Sequence, residues 1–245
     1  MTSIAIATTI LTAHQNTVRE TLALKTANET ARYKYPFIAI YGGHRNSFVE
    51  KMENAGVLIK IESGQCEMGA SRRQAMKEAS RVAGKNGVVV WMEPEKYTFV
   101  PHIVGLAEVI MRKEADLVIP MRSSLNSYPK EQQESETLMN RLFERVLKKQ
   151  KADLSFGPRI MNRVALSLFL DYKGEYGDKW DSIIIPVLRA VKMGLSVQYT
   201  DVPYVHPREQ TREEEGTMEM FVKRIEQFCN IAPSFYVEAK KLGLV

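Results

Sequence analysis

In the first half of the chain, short runs rich in Val and Ile alternate with longer helix-forming segments, and this alternation constrains the fold more than any other feature. Residues 4–10, 37–41, 57–61, 88–92 and 116–120 read as strands. Between them, 17–31, 46–54, 70–83 and 101–113 carry the Ala, Leu, Glu and Lys content of helices. Such an order predicts an α/β domain, a mostly parallel central sheet with helices on both faces. Gly42-Gly43 ends the second strand, and Asn46 or Ser47 is placed to cap the helix that follows. No internal repeat is visible.

The second half is less regular. Helices are expected over 131–149 and 180–193, the latter stopped by Gly194, with the apolar run 164–170 between them. A strand follows at 196–200. Residues 206–217 are highly charged and lack apolar periodicity, so they read as a mobile loop before helices at 218–229 and 236–242.

A chain of 245 residues suffices for one large α/β domain with a substantial core. With 44% hydrophobic and 26% charged residues, it has the composition of a globular protein. No apolar stretch approaches the ~18 residues of a membrane span. The apolar segment 4–11 lacks a basic flank and contains two threonines, and resembles a first strand more than a signal peptide. Cys66 and Cys229 are too few for a disulfide framework, which points to the reducing cytoplasm. The net charge of +5 favours an anionic partner. Nucleic acid is the weaker candidate, because no Lys/Arg block is interleaved with aromatics.

The chemistry centres on residues 88–95, Val-Val-Val-Trp-Met-Glu-Pro-Glu. Pro94 cannot donate to a ladder, so the strand stops there, at the end where open α/β sheets place ligands. In extended geometry Glu93 and Glu95 project the same way, and two converging carboxylates suit Mg²⁺ or Mn²⁺ on a diphosphate. Gly69 and Ser71 begin a helix whose free amides favour an anion, with Arg72 and Arg73 in its first turn. His206 is placed to complete a metal site, and would favour Mn²⁺; His14, His44 and His102 have no such companions. Asp178 and Asp181, flanking Trp180, are candidate general bases, although Asp181 or Ser182 equally suits a helix cap. Residues 155–159, Ser-Phe-Gly-Pro-Arg, form a rigid turn able to line a pocket through Gly157.

Taken in order, these motifs resemble the GT-A class of nucleotide-sugar glycosyltransferases, closest to the family 2 branch with polyprenyl-phosphate mannose synthases and mannosylglycerate synthase. The resemblance covers about residues 3–220. Its carriers are Gly69–Gln74, Glu93-Pro94-Glu95, Ala115–Arg122, Ser155–Arg159, Arg189–Gly194 running into Asp201-Val202-Pro203, and Arg208–Gly216. After the second strand the family reads Asp-Asp-Gly-Ser, whereas Tyr41–Arg45 here carries no acid.

The resemblance implies a single GT-A-like domain, with a nucleotide-sugar-binding half (1–125) and an acceptor half (126–245). It makes Glu95 the principal metal ligand, Glu93 a ribose or metal contact, and His206 the C-terminal ligand of Mn²⁺ or Mg²⁺. Arg72 or Arg73, Gly157, Arg159, Trp180 and Arg208 would face substrate, with Asp178 or Asp181 at the sugar or acceptor. The implied reaction moves a hexose, by analogy mannose from GDP-mannose, onto a hydroxyl or phosphate acceptor, a polyprenyl acceptor being reached peripherally. A nucleotidyltransferase and a catalytically idle nucleotide-binding protein are the rival readings.

Overall fold

The computed structural model describes residues 3–11, 17–62 and 67–245; His14 and Cys66 lie outside them. Five strands open the chain in the expected alternation: β1 (Ile4–Leu11), β2 (Phe37–Gly42), β3 (Leu58–Glu62), β4 (Val88–Trp91) and β5 (Leu117–Arg122). They are joined by α1 (Thr17–Arg32), α2 (Ser47–Asn54), α3 (Met68–Ala83) and α4 (Ile103–Met111). Asn46 caps α2, its Oδ1 accepting from the Val49 N–H at 3.0 Å. A 3₁₀ turn over Tyr97–His102, with Pro101 inside it, precedes α4.

The second half adds α5 (Lys130–Leu147), β6 (Arg159–Met161), α6 (Arg163–Leu170), α7 (Ile185–Lys192), β7 (Val197–Val202), α8 (Arg208–Glu214) and α9 (Met218–Lys241). The seven strands lie in the order β3-β2-β1-β4-β6-β5-β7. β6 runs antiparallel between β4 and β5, and the other pairings are parallel. Strand alternation sorts the core. Ala5 and Ala7 of β1 face the layer with α3, α5, α6, α7 and α9; Ile4, Ile6 and Ile10 face the layer with α1, α2 and α4. The sheet is therefore covered on both sides.

Three expectations need correction. Residues 206–217 are not a loop: α8 occupies their centre, tied to α1 by Lys25–Glu209 at 2.9 Å and by an Arg19–Glu214 ion pair. Charge hid this helix, because its contacts are ionic and only Gln210 within it is buried. The C-terminal helices are one, since α9 runs through Pro233, held by Ile231, Phe235 and Ala239 in the core. Finally, β6 is a strand of three residues, too short for any alternation to reveal.

From the centre, the chain passes from β1 outward to β2 and β3, then returns to lay β4 on the other side of β1. This reversal opens a crevice at the C-terminal ends of β1 and β4, the switch point where such sheets bind ligands.

Candidate functional site

A cleft of about 290 Å³ lies at that crevice. Its floor is the Glu93–Lys96 turn after β4 and Thr9–Ile10 of β1; its walls come from α1, α3, α5 and the Trp180 turn, and it is roofed by α8 and α9. The last ladder bond is Met92 N–H to Ala7 O at 3.1 Å; Pro94 prevents continuation, and the chain turns with Lys96 N–H directed to Glu93 O at 3.4 Å. Both carboxylates thus enter the cleft together with the next residue, Lys96.

Glu93 is packed against Gly157: a Cβ there would lie 1.7 Å from Glu93 Oε1. The turn is close-packed against that carboxylate, and Gly157 itself does not line the cleft, contrary to the expectation that its backbone would face substrate. Glu93 Oε2 is buried without a hydrogen-bond partner, and the Lys96 ammonium stands 3.8 Å from it. The same ammonium lies 4.8 and 5.1 Å from the ring centroids of Phe156 and Tyr204. Burial works against its charge, but Glu93, Tyr128, Tyr204 and Glu95 outweigh that, so Lys96 is held well above the usual lysine range. Glu95 is 3.4 Å from Arg19 Nη1. Burial pushes its carboxyl up, but Arg19 and Lys96 hold it below the ordinary value.

Arg72 and Arg73 part ways. Arg72 is 7% exposed and lines the cleft; its Nη1 donates to Lys179 O at 2.8 Å and Ser182 Oγ at 3.0 Å, and it lies 5.5 Å from the Trp91 ring. Burial lowers its pKa to about 10, against Glu93, Asp181 and Asp178. Arg73 instead forms a fork onto Asp178 at 2.5 and 2.8 Å, outside the cleft lining. The amide of Gly69 at the start of α3 donates to Asp178 O at 2.7 Å, and a Cβ on Gly69 would meet Asp178 Oδ1 at 2.0 Å. The helix start is therefore occupied by the chain's own Asp178, its carbonyl on the Gly69 amide and its carboxylate on Arg73.

This corrects the candidate bases. Asp178 is engaged by Arg73, and Asp181 is fully buried, accepting from the Tyr172 hydroxyl and from the Lys179 N–H at 2.7 Å. Neither lines the cleft, whereas Trp180 between them does. Arg159 is likewise fully buried, and its guanidinium donates to the carbonyls of Leu154, Phe156, Pro158 and Ile183; it braces the β6 corner rather than facing substrate. Arg208, the first residue of α8, is exposed and does not line the cleft.

His206 does line it, 4% exposed and stacked on Tyr128 with centroids 4.1 Å apart. Neither ring nitrogen has a hydrogen-bond partner, and burial, reinforced by Lys96 and Arg122, pushes its pKa down to about 2. The imidazole is neutral. The expected three-residue metal set is not assembled: among the described residues no three His, Cys, Asp or Glu side chains gather around one point. Glu95 turns towards Arg19 while His206 lies on Tyr128.

The cleft also contains cations that motif reading passed over. Lys223 and Arg224 reach it from α9, and Arg122 from the end of β5. Arg122 is clamped by Asp153 (Nε to Oδ2, 2.7 Å) and Glu136 (2.6 Å), and Arg224 meets Glu136 at 3.3 Å. Lys223 is pushed down to about 8 by burial and by Arg19 and Arg224, with Glu214 and Glu95 opposing. Among the lining residues are six cations (Arg19, Arg72, Lys96, Arg122, Lys223, Arg224) and four carboxylates (Glu20, Glu93, Glu95, Glu136), with Glu214 and Asp153 just outside the lining paired to Arg19 and Arg122. A signal for two of them was available. Lys223 and Arg224 lie on the side of α9 that also buries Met220 and Gln227, so helical periodicity turns them inward.

No protein-family model matches the chain, and no curated protein sequence does either. Solved structures do. The crystal structure of glucosyl-3-phosphoglycerate synthase from Mycobacterium tuberculosis superposes with a TM-score of 0.59 at 12% identity, covering 93% of this chain and 80% of that one. The same enzyme in complex with Mn²⁺, uridine diphosphate and phosphoglyceric acid gives 0.59 at 10% identity, over 93% and 78%. Its complex with Mn²⁺, UDP-glucose and phosphoglyceric acid gives 0.57 at 12%, over 91% and 79%. Another of its structures contains Mg²⁺ and uridine diphosphate. These likenesses establish that the chain has the GT-A glycosyltransferase fold.

Proposed function

We propose that this protein is a nucleotide-sugar glycosyltransferase that moves a hexose from a nucleoside diphosphate onto a hydroxyl- or phosphate-bearing acceptor. The observation that carries the reading is the cleft at the β1/β4 switch point, where the Glu93-Pro94-Glu95-Lys96 turn meets a cluster of cations, among them Arg72 and Lys223. Cations gathered there suit a diphosphate, which leaves as an anion. The uridine diphosphate in the solved neighbours makes UDP-glucose the first donor to test, and GDP-mannose the second. In this reading residues 1–125 hold the donor and 126–245 the acceptor, since both halves contribute walls.

A divalent cation fits the two carboxylates. Glu93 Oε2 is buried and unpartnered and Glu95 is kept ionised, so these two carboxylates would hold a Mg²⁺ or Mn²⁺ ion. When bound, the ion supplies charge neutralisation to the departing diphosphate. The chain's own residues do the rest. Lys96 and Arg19 place two further charges beside the carboxylates, Arg72 adds a third across the floor, and Trp180 offers the sugar an apolar face. His206 stands apart from the carboxylates and is neutral, so we assign its free nitrogen to accept a hydrogen bond from the acceptor hydroxyl. The roof of α8 and α9 excludes water and limits hydrolysis.

The test is thermal shift with UDP, GDP, CDP and ADP, each with and without Mn²⁺, followed by transfer assays with UDP-glucose and GDP-mannose. One diphosphate at a hundred times its dissociation constant stabilises by about 2.7 kcal/mol, and this shift is expected to shrink in Glu95→Gln and Lys96→Met. If no nucleotide shifts the folded wild type, the donor-site reading is wrong.

A further inference from the structure

Helix α9 is unusual in the side it turns outward. Its 24 residues bury Met220, Gln227, Ile231, Phe235 and Ala239 against the body, as an amphipathic helix should. The opposite side is not polar. Met218 (70% exposed), Phe221 (50%), Val222, Ile225 (49%) and Cys229 recur at three- and four-residue steps along it, and Tyr236 (51%) continues the line two turns further on. At 1.5 Å per residue this makes a stripe about 27 Å long, an apolar surface of the kind that marks an interaction site.

The flank of the stripe indicates what covers it. Glu219 and Glu226 lie exposed along its N-terminal half, and Lys240 and Lys241 along its C-terminal end. Counting 100° per residue, the four fall on one side of the stripe. We propose that α9 is the interface of a homodimer, in which two copies of the helix pack antiparallel about a two-fold axis near Cys229. That operation keeps the charged flanks on the same side and sets Glu219 of one copy opposite Lys240 of the second, with Val222 opposite Val237. A parallel pair would put the two charged flanks on opposite sides of the contact and leave Glu219 and Lys240 without partners. An isologous contact of this kind closes on itself and leaves no apolar edge. A lipid bilayer is the poorer occupant, because Glu219 and Glu226 would face anionic headgroups.

The pairing does not depend on the proposed reaction, but it bears on the cleft. The inner side of the same helix carries Lys223 and Arg224 into the cleft wall, so dimerisation holds two such walls in place.

The experiment is sedimentation velocity on the full chain from low to high micromolar concentration. A dimer is expected, and Ile225→Glu should be monomeric with an unchanged far-UV circular dichroism spectrum. Glu219→Lys should weaken the dimer, and adding Lys240→Glu should restore it, which a folding defect would not do. In a Cys66→Ser background, a short bifunctional thiol reagent should join two chains through Cys229. A wild type that stays monomeric at high concentration overturns the proposal, as does a monomer that co-floats with phosphatidylglycerol vesicles, or a dimer indifferent to Ile225→Glu.

Discussion

Lys223 offers the sharpest test of the cleft's electrostatics. Its ammonium is drawn into the cleft by α9, and burial with Arg19 and Arg224 nearby lowers its pKa from the ordinary 10.5 to about 8. At ~1.4 kcal/mol per pH unit that interval is worth about 3 kcal/mol, and about 1–2 kcal/mol once screening by solvent is allowed for. The unfolded chain binds the extra proton between pH 8 and 10.5, so the wild type gains stability as pH rises through that window. Below it the folded state bears the whole cost. Lys223→Met keeps the stem and removes the charge. It should therefore be about 1–2 kcal/mol more stable than wild type at pH 7, with the gap closing by pH 10.5. Urea denaturation followed by tryptophan fluorescence at steps across this range measures both. A diphosphate in the cleft would favour the charged form, so nucleotide affinity should fall as pH rises past about 8 in wild type and be weaker but flat in the variant. A variant less stable than wild type at pH 7, or one with the same pH slope, would refute the argument.

Three further perturbations address other parts of the site. Gly157→Ala drives a methyl into Glu93 Oε1 at 1.7 Å, so it should cost about 1–3 kcal/mol and weaken metal-dependent nucleotide binding together, read by melting with and without Mn²⁺. Arg122→Met leaves Asp153 buried without a cation, and Glu136 with Arg224 alone, and should destabilise by about 3–5 kcal/mol in urea titration; a loss under 1 kcal/mol would mean the clamp is solvated. His206 is neutral in the fold down to about pH 2 while the unfolded chain protonates near 6.5, so stability should fall as pH drops below 6.5. His206→Phe, which retains a ring to stack on Tyr128, should lose that part of the acid slope in denaturation at pH 4 to 7.

Much of the frame was legible because period and burial coincide. Every residue of β4 and β5 is buried, so each strand shows as an unbroken apolar run, and the intervening helices bury one regular stripe. β6 escaped because three residues cannot show a period, and its stability comes from partners on both sides, β4 and β5, that are distant in sequence. α8 escaped for a different reason. Its place is fixed by Glu209 and Glu214 reaching Lys25 and Arg19, nearly two hundred residues away, and long-range ion pairs leave no local pattern.

The site shows the same division more sharply. Glu93, Glu95, Trp180 and His206 were found because a strand end, a proline and a loop lip expose chemistry in one dimension, and all four line the cleft. Asp178, Asp181, Arg73 and Arg159 looked equally functional, yet each is consumed within the fold: a fork, a hydroxyl, a set of carbonyls. What separates the two groups is saturation rather than residue type. Arg159 has four carbonyl partners and nothing left to offer a ligand, whereas His206 keeps two bare nitrogens and Glu93 a bare oxygen. Buried polar atoms without partners are costly, so a fold retains them where a ligand supplies the missing bond. Among the buried unpartnered atoms, Glu93 Oε2 and the His206 nitrogens lie in the cleft lining, beside the loosely paired Lys96, where the proposed substrate would supply the missing bonds. It follows that nucleotide binding should protect this cleft first: hydrogen exchange of residues 92–97 should slow on adding the right diphosphate, while the Arg73–Asp178 fork should report nothing.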